Sequence, residues 1–131
     1  MVQNYRDLKV WQKAMSLARE VYRVTENFPK HQRYGLVSQM QRAAISVPAN
    51  IAEGRSRHSG NEFAYFLNIA RGSLAELETY LILSHDLDYI ASTKSEELLS
   101  SANEITKMLF GLRDKISENA KPKLQPVTSN L

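Results

Sequence analysis

Cysteine is absent from this 131-residue chain, which removes disulfides and thiolate metal sites from consideration and fits a reducing compartment. Histidine occurs only at His31, His58 and His85. No glutamate is followed three residues later by histidine, so the ligand pattern of di-iron helical bundles is missing. There is no glycine-rich phosphate loop, no Gly-x-Ser-x-Gly and no His-Glu-x-x-His. His85 and Asp86 are adjacent, and neighbours on a helix do not face each other, so the pair reads as surface chemistry. No uncharged apolar run approaches the roughly 20 residues a membrane helix requires. The first seven residues carry no apolar signal core. Strand-like alternation and internal repeats are also missing. These absences predict a soluble, cytoplasmic protein with no cofactor, no metal and no membrane partner. They favour a binding or assembly protein over an enzyme.

What is present is helical periodicity. Leu8, Trp11, Met15, Ala18 and Tyr22 recur at spacings of three and four, with Ala14 and Val21 widening the stripe. They predict a first helix from Asp7, its N-cap, to Asn27, closed by Phe28-Pro29. Leu36, Met40, Ala44, Val47 and Ile51 predict a second helix from Arg33 to Arg55. Pro48 interrupts it, but the stripe keeps its phase, so a kinked helix is expected rather than two short ones. A third helix is expected from Gly60 to Leu87 behind a Ser59-x-x-Glu62 capping box, with Gly72 inside it marking close backbone packing. A fourth is expected from Lys94 to Glu118 behind Thr93-x-x-Glu96; Phe63, Phe66, Ala70, Leu74, Leu77 and Leu81 form the stripe of the third and Leu98, Ala102, Ile105, Leu109, Leu112 and Ile116 that of the fourth. Short connections make neighbours antiparallel, which predicts an all-α, up-down-up-down four-helix bundle over residues 1–120. Residues 121–131, with two prolines and few large apolar groups, are expected to form a disordered tail.

Charge is divided unevenly. Residues 28–60 carry a net +4 and residues 61–90 a net −4, within an overall +3. On a helical wheel the second helix shows three faces: its core stripe, a polar stripe with Gln39, Arg42, Ser46, Asn50 and Glu53, and an arc of mostly small residues with Ile45, Ala49 and Ala52. The small arc fits either a neighbour inside the bundle or a second subunit. Arg42 is expected to pair with Glu76, though it also suits a basic surface. Lys30, Arg33, Arg55 and Arg57 are expected to be more exposed. Together Lys30, Arg33, Arg42, Arg55 and Arg57 are the candidate nucleic-acid contacts. The competing reading is a protein–protein scaffold in which the basic segment meets the acidic third helix during subunit assembly. Trp11 and the six tyrosines read as core and boundary residues rather than base-stacking platforms.

Two strings in this region resemble known signatures. Residues 38–54, Ser-Gln-Met-Gln-Arg-Ala-Ala-Ile-Ser-Val-Pro-Ala-Asn-Ile-Ala-Glu-Gly, are similar to the signature of the four-helix-bundle proteins of 23S rRNA intervening sequences. Residues 69–79, Ile-Ala-Arg-Gly-Ser-Leu-Ala-Glu-Leu-Glu-Thr, resemble that family's second signature, and residues 7–14 with Phe28-Pro29 agree. The resemblance covers about residues 5 to 118. Gln41 departs from it where the family more often has arginine, which thins any basic surface there. The resemblance implies a homopentamer around a central channel and a likeness to the accessory protein of diversity-generating retroelements. It therefore implies RNA or DNA, and a reverse transcriptase or other protein, as partners. It supplies no catalytic residues.

Overall fold

The computed structural model of the protein describes residues 4–120, so the tail expected at 121–131 lies outside the described residues. Four helices form the fold: α1 (Lys9–Thr25), α2 (Ser38–Arg55), α3 (Gly60–Asp86) and α4 (Ser92–Ala120), with no strand among the described residues. The all-α four-helix expectation holds.

The helix ends follow local chemistry, with several departures from expectation. Asp7 does not cap α1. It belongs to a 3₁₀ turn, Tyr5–Asp7, capped by the Asn4 side chain, which accepts from the Arg6 amide at 2.9 Å. The second helix is regular only from Ser38. Before it comes a π-helical turn, Arg33–Val37, whose Gly35 leaves helical geometry at φ −112°, ψ −106°. α2 then continues through the buried Pro48 to Arg55. The Ser59 cap of α3 forms as expected, its hydroxyl meeting the Glu62 amide and carboxylate at 3.2 Å each. α3 closes with bonds from the Tyr89 amide to the Ser84 carbonyl and from the Asp88 amide to the His85 carbonyl, both 2.9 Å. This is a Schellman ending, and Asp88 takes its left-handed position at φ 61°. Thr93 lies inside α4 rather than capping it, because the helix already begins at Ser92.

The core joins Met40, Val47 and Ile51 of α2 to Leu74, Leu77 and Leu81 of α3 and to Ile105 and Leu109 of α4, all essentially inaccessible to solvent. Those positions match the periodic stripes. α1 does not. Its buried line is Val10, Ala14, Leu17, Ala18 and Val21, whereas Leu8, Trp11 and Met15 are half-buried and Tyr22 is 42% exposed. Apolar residues span so wide an arc of α1 that spacing alone picks the wrong edge of it. The bundle uses one edge and leaves the other outside.

Contacts across the helices run in opposite directions. Ser46 meets Ser73 at 2.8 Å while Met40 meets Ser84 at 3.4 Å. Lys13 pairs with Glu104 at 3.1 Å while Glu20 pairs with Lys94 at 2.7 Å. The closest helix approach involves a different glycine from the one expected. A Cβ on Gly54 would stand 2.8 Å from the Phe66 Cβ and 3.2 Å from the Phe63 carbonyl oxygen, but one on Gly72 would meet nothing within 4 Å.

Gly54→Ala should therefore destabilise the fold by about 1–3 kcal/mol, and Gly72→Ala should stabilise the isolated chain by up to about 1 kcal/mol; denaturant midpoints of the two variants check both. The Lys94 ammonium, with help from Arg23, holds the Glu20 carboxyl below its ordinary range, and Glu20 in turn raises Lys94. A depressed carboxyl stabilises above its unfolded pKa and loses that contribution as pH falls through the folded value. Glu20→Gln should lower the melting temperature at neutral pH, and the difference should vanish only once the pH is below the depressed folded value of Glu20, under the ordinary glutamate range of about 4.

Candidate nucleic-acid interface

The five candidate cations do not form one patch. Arg33 and Arg55 lie at opposite ends of the second helical stretch, 22 residues apart, which is about 33 Å of helix rise. Lys30 and Arg33 are both exposed and line one cleft of about 380 Å³ together with Thr25, Gln41 and the opposing charge of Glu26. The cleft is built from the end of α1, the Phe28-Pro29 corner and the π-helical turn. Phe28 is buried and its ring lies 5.3 Å from that of Tyr89. Gln32 donates to the Tyr89 hydroxyl at 3.1 Å, so the turn after α3 holds the α1–α2 connection in place. Gln41 donates to the Thr25 hydroxyl at 3.2 Å, tying the cleft's floor across α1 and α2.

Arg42 is exposed and lines a shallow cavity of about 230 Å³ that also includes Ser46, Ser73, Glu76 and Tyr80. The expected Arg42–Glu76 ion pair does not form among the described residues; instead Ser46 spans the seam by bonding Ser73, and Asn50 donates back to the Ser46 carbonyl at 2.8 Å. With that seam satisfied by neutral groups, neither charge is buried and neither requires the other.

Arg57 is committed elsewhere. Its guanidinium pairs with Glu53 at 2.7 Å, reaches Glu62 at 3.9 Å and lies 4.8 Å from the centre of the Phe66 ring. It joins the end of α2 to the first turn of α3, so part of the basic segment meets the acidic helix within a single chain. Arg55 is half-buried. Lys30, Arg33 and Arg42, by contrast, make no ion pair among the described residues.

Two features escaped the sequence reading. Arg71 and Arg113 flank the Phe110 ring at 4.7 and 4.9 Å, across α3 and α4. Nothing in spacing along one helix announces a cluster assembled from two. The second is a groove of about 600 Å³ between α1 and α2, walled by Trp11, Met15, Tyr22, Ile45, Pro48 and Ala52. It collects the unused edge of α1 and the small arc of α2.

No cluster of three or more metal-binding side chains occurs among the described residues, and no described helix is long and apolar enough to cross a membrane. The sequence matches the family described as 23S rRNA-intervening sequence protein over residues 6–111. The chain belongs to that family. A solved family relative has the same fold: a protein of unknown function from the S23 ribosomal protein family of Bacteroides thetaiotaomicron VPI-5482. It is 26% identical, with a TM-score of 0.74, and the match covers 80% of this chain and 95% of that one. No curated protein matches the chain. Membership accounts for both signature strings: the first runs along α2 and the second along α3, and the Ser46–Ser73 bond joins one to the other.

Arg57→Ala should lower stability by about 1 kcal/mol through its carboxylate and ring contacts. Arg42→Ala should change it by less than about 0.5 kcal/mol. Thermal or chemical unfolding of the two variants separates these roles.

Proposed function

We propose that this chain is a non-enzymatic nucleic-acid-binding bundle that works as an assembly of identical subunits. The observation that carries the reading is the separation of its cations into two groups. Arg57 is neutralised by carboxylates, whereas Lys30, Arg33 and Arg42 are exposed and without an ion-pair partner among the described residues. Cations left unpaired at a surface are what a phosphate backbone binds, since each contact releases a counterion. Lys30 and Arg33 give a cleft two cations against the one carboxylate of Glu26, which leaves it net positive for a phosphate group.

Assembly strengthens this reading. One subunit has a net charge of only +3. A ring of identical copies, five in the pentamer implied by the family resemblance, would repeat each cleft around an axis and make weak contacts multivalent. The family's description points to structured ribosomal RNA as the first ligand to test, with duplex DNA as the comparison. The scaffold reading, in which the basic segment is consumed by assembly, competes with this one for the same cations. Assembly through the α1–α2 groove would instead leave Lys30, Arg33 and Arg42 free, because its apolar walls use different side chains.

The test is an anisotropy titration with a structured RNA and with duplex DNA across a salt series. Binding should weaken steeply as salt rises, and Lys30→Glu plus Arg33→Glu should weaken it by about tenfold or more and flatten the salt slope. Binding that is undetectable at low salt, or indifferent to salt, refutes the nucleic-acid reading.

A further inference from the structure

Two surfaces of this molecule expose large apolar side chains outside its core. The first is the α1–α2 groove, where Ile45 is 47% exposed and Tyr22 42% exposed. Ala49 and Ala52 lie along its α2 side, and Arg19 and Arg23 line it from α1. The second is the outward stripe of α3. Tyr65, Gly72, Glu76, Leu83 and the cap residue Leu87 are all exposed and recur at spacings of seven and four, which places them on one side of the helix. Leu83 and Leu87 are each 44% exposed and Tyr65 60%. Glu76 and the exposed Asp86 flank Leu83 with negative charge.

Gly72 is the telling residue. An interior helical glycine weakens the helix by about 1 kcal/mol relative to alanine. No neighbour in the chain needs the space, because a Cβ there would meet nothing within 4 Å. A helix arriving from outside would need it.

We propose that the outward stripe of α3 in one copy seats in the α1–α2 groove of the next. The partner's chemistry matches: apolar side chains meet apolar walls, and Glu76 and Asp86 meet Arg19, which has no ion pair among the described residues, and Arg23, which Glu20 already shares. Gly72 on one side and Ala49 and Ala52 on the other let the helix axes come close, about 8 Å apart. The two surfaces are different, so the contact is head-to-tail. Every copy keeps one groove and one stripe to offer, and the chain of contacts ends only when it closes on itself. This inference rests on the assembly put forward above and specifies which faces make it.

Sedimentation velocity and light scattering test it, with circular dichroism confirming that each variant remains helical. Ile45→Glu in the groove and Leu83→Glu on the stripe should each shift the protein to monomer. Reversing the groove charges (Arg19→Glu with Arg23→Glu) or the stripe charges (Glu76→Arg with Asp86→Arg) should each weaken assembly by about tenfold or more. Combining all four reversals should restore it. Gly72→Ala should raise the unfolding temperature of the monomer yet weaken association, a split that a purely intramolecular role cannot produce. A wild-type protein that stays monomeric at every concentration defeats the assembly reading as a whole. If Ile45→Glu dissociates the assembly but the stripe variants do not, copies associate with some other face in the groove, and the present inference alone is overturned. Failure of the four-fold reversal to restore association overturns it as well.

Discussion

The approach of α2 to α3 is the constraint from which the other positions follow. α2 can lie against Phe63 and Phe66 because Gly54 has no side chain, and beside Ser73 because Ser46 is small enough to hydrogen-bond across the seam. Further along, Met40 and Ser84 meet in a fully buried contact. Once these two helices are fixed in register, their apolar stripes present a shared surface for Ile105 and Leu109 of α4 and for Val21 and Ala14 of α1. The polar groups inside the seam are satisfied locally: Asn50 and Ser73 both engage Ser46, and Ser84 also donates to the Tyr80 carbonyl. A part-buried polar seam with its bonds made sets the relative sliding of two helices, which an aliphatic seam leaves less determined.

Charge supports this arrangement at its margins. Arg57 closes the α2–α3 end through Glu53, Glu62 and the Phe66 ring, and Glu20 with Lys94 fastens α1 to α4 at the other side. These contacts are at the surface and individually weak. Their importance for function is indirect, because they decide which cations are consumed by the fold and which remain for other molecules.

Much of the fold was legible in the sequence, and the failures have physical causes. α2, α3 and α4 each present one apolar stripe, so periodicity identified Met40, Leu74, Leu77, Leu81, Ile105 and Leu109 as core. α1 is apolar on a wider arc, and periodicity cannot say which part the bundle will cover. Trp11 and Met15 share the stripe of Ala14, Ala18 and Val21, yet they sit at its boundary, half-buried beside a groove. Gly54 near the end of α2 and Gly72 inside α3 carry no local mark of what lies beside them, and only the neighbouring helix reveals which one is pressed against something. The candidate cations suffered from the same blindness to partners. Arg57 reads as exposed and free until α3 is laid beside it, and Arg42 reads as paired until neutral side chains are seen to satisfy the seam. The cluster of Arg71, Phe110 and Arg113 draws on two helices and left no mark on either one alone.

Tyr89 has a consequence that reaches beyond the turn it occupies. Its ring rests on Phe28 and its hydroxyl takes a hydrogen from Gln32, so the segment bearing Lys30 and Arg33 is clamped by the turn that joins α3 to α4. The entropy lost in immobilising that segment is charged to folding, not to any later encounter. An anion meeting these two cations would find their backbone already ordered, and the affinity it gains from them would not be diminished by a loop that must first be stilled.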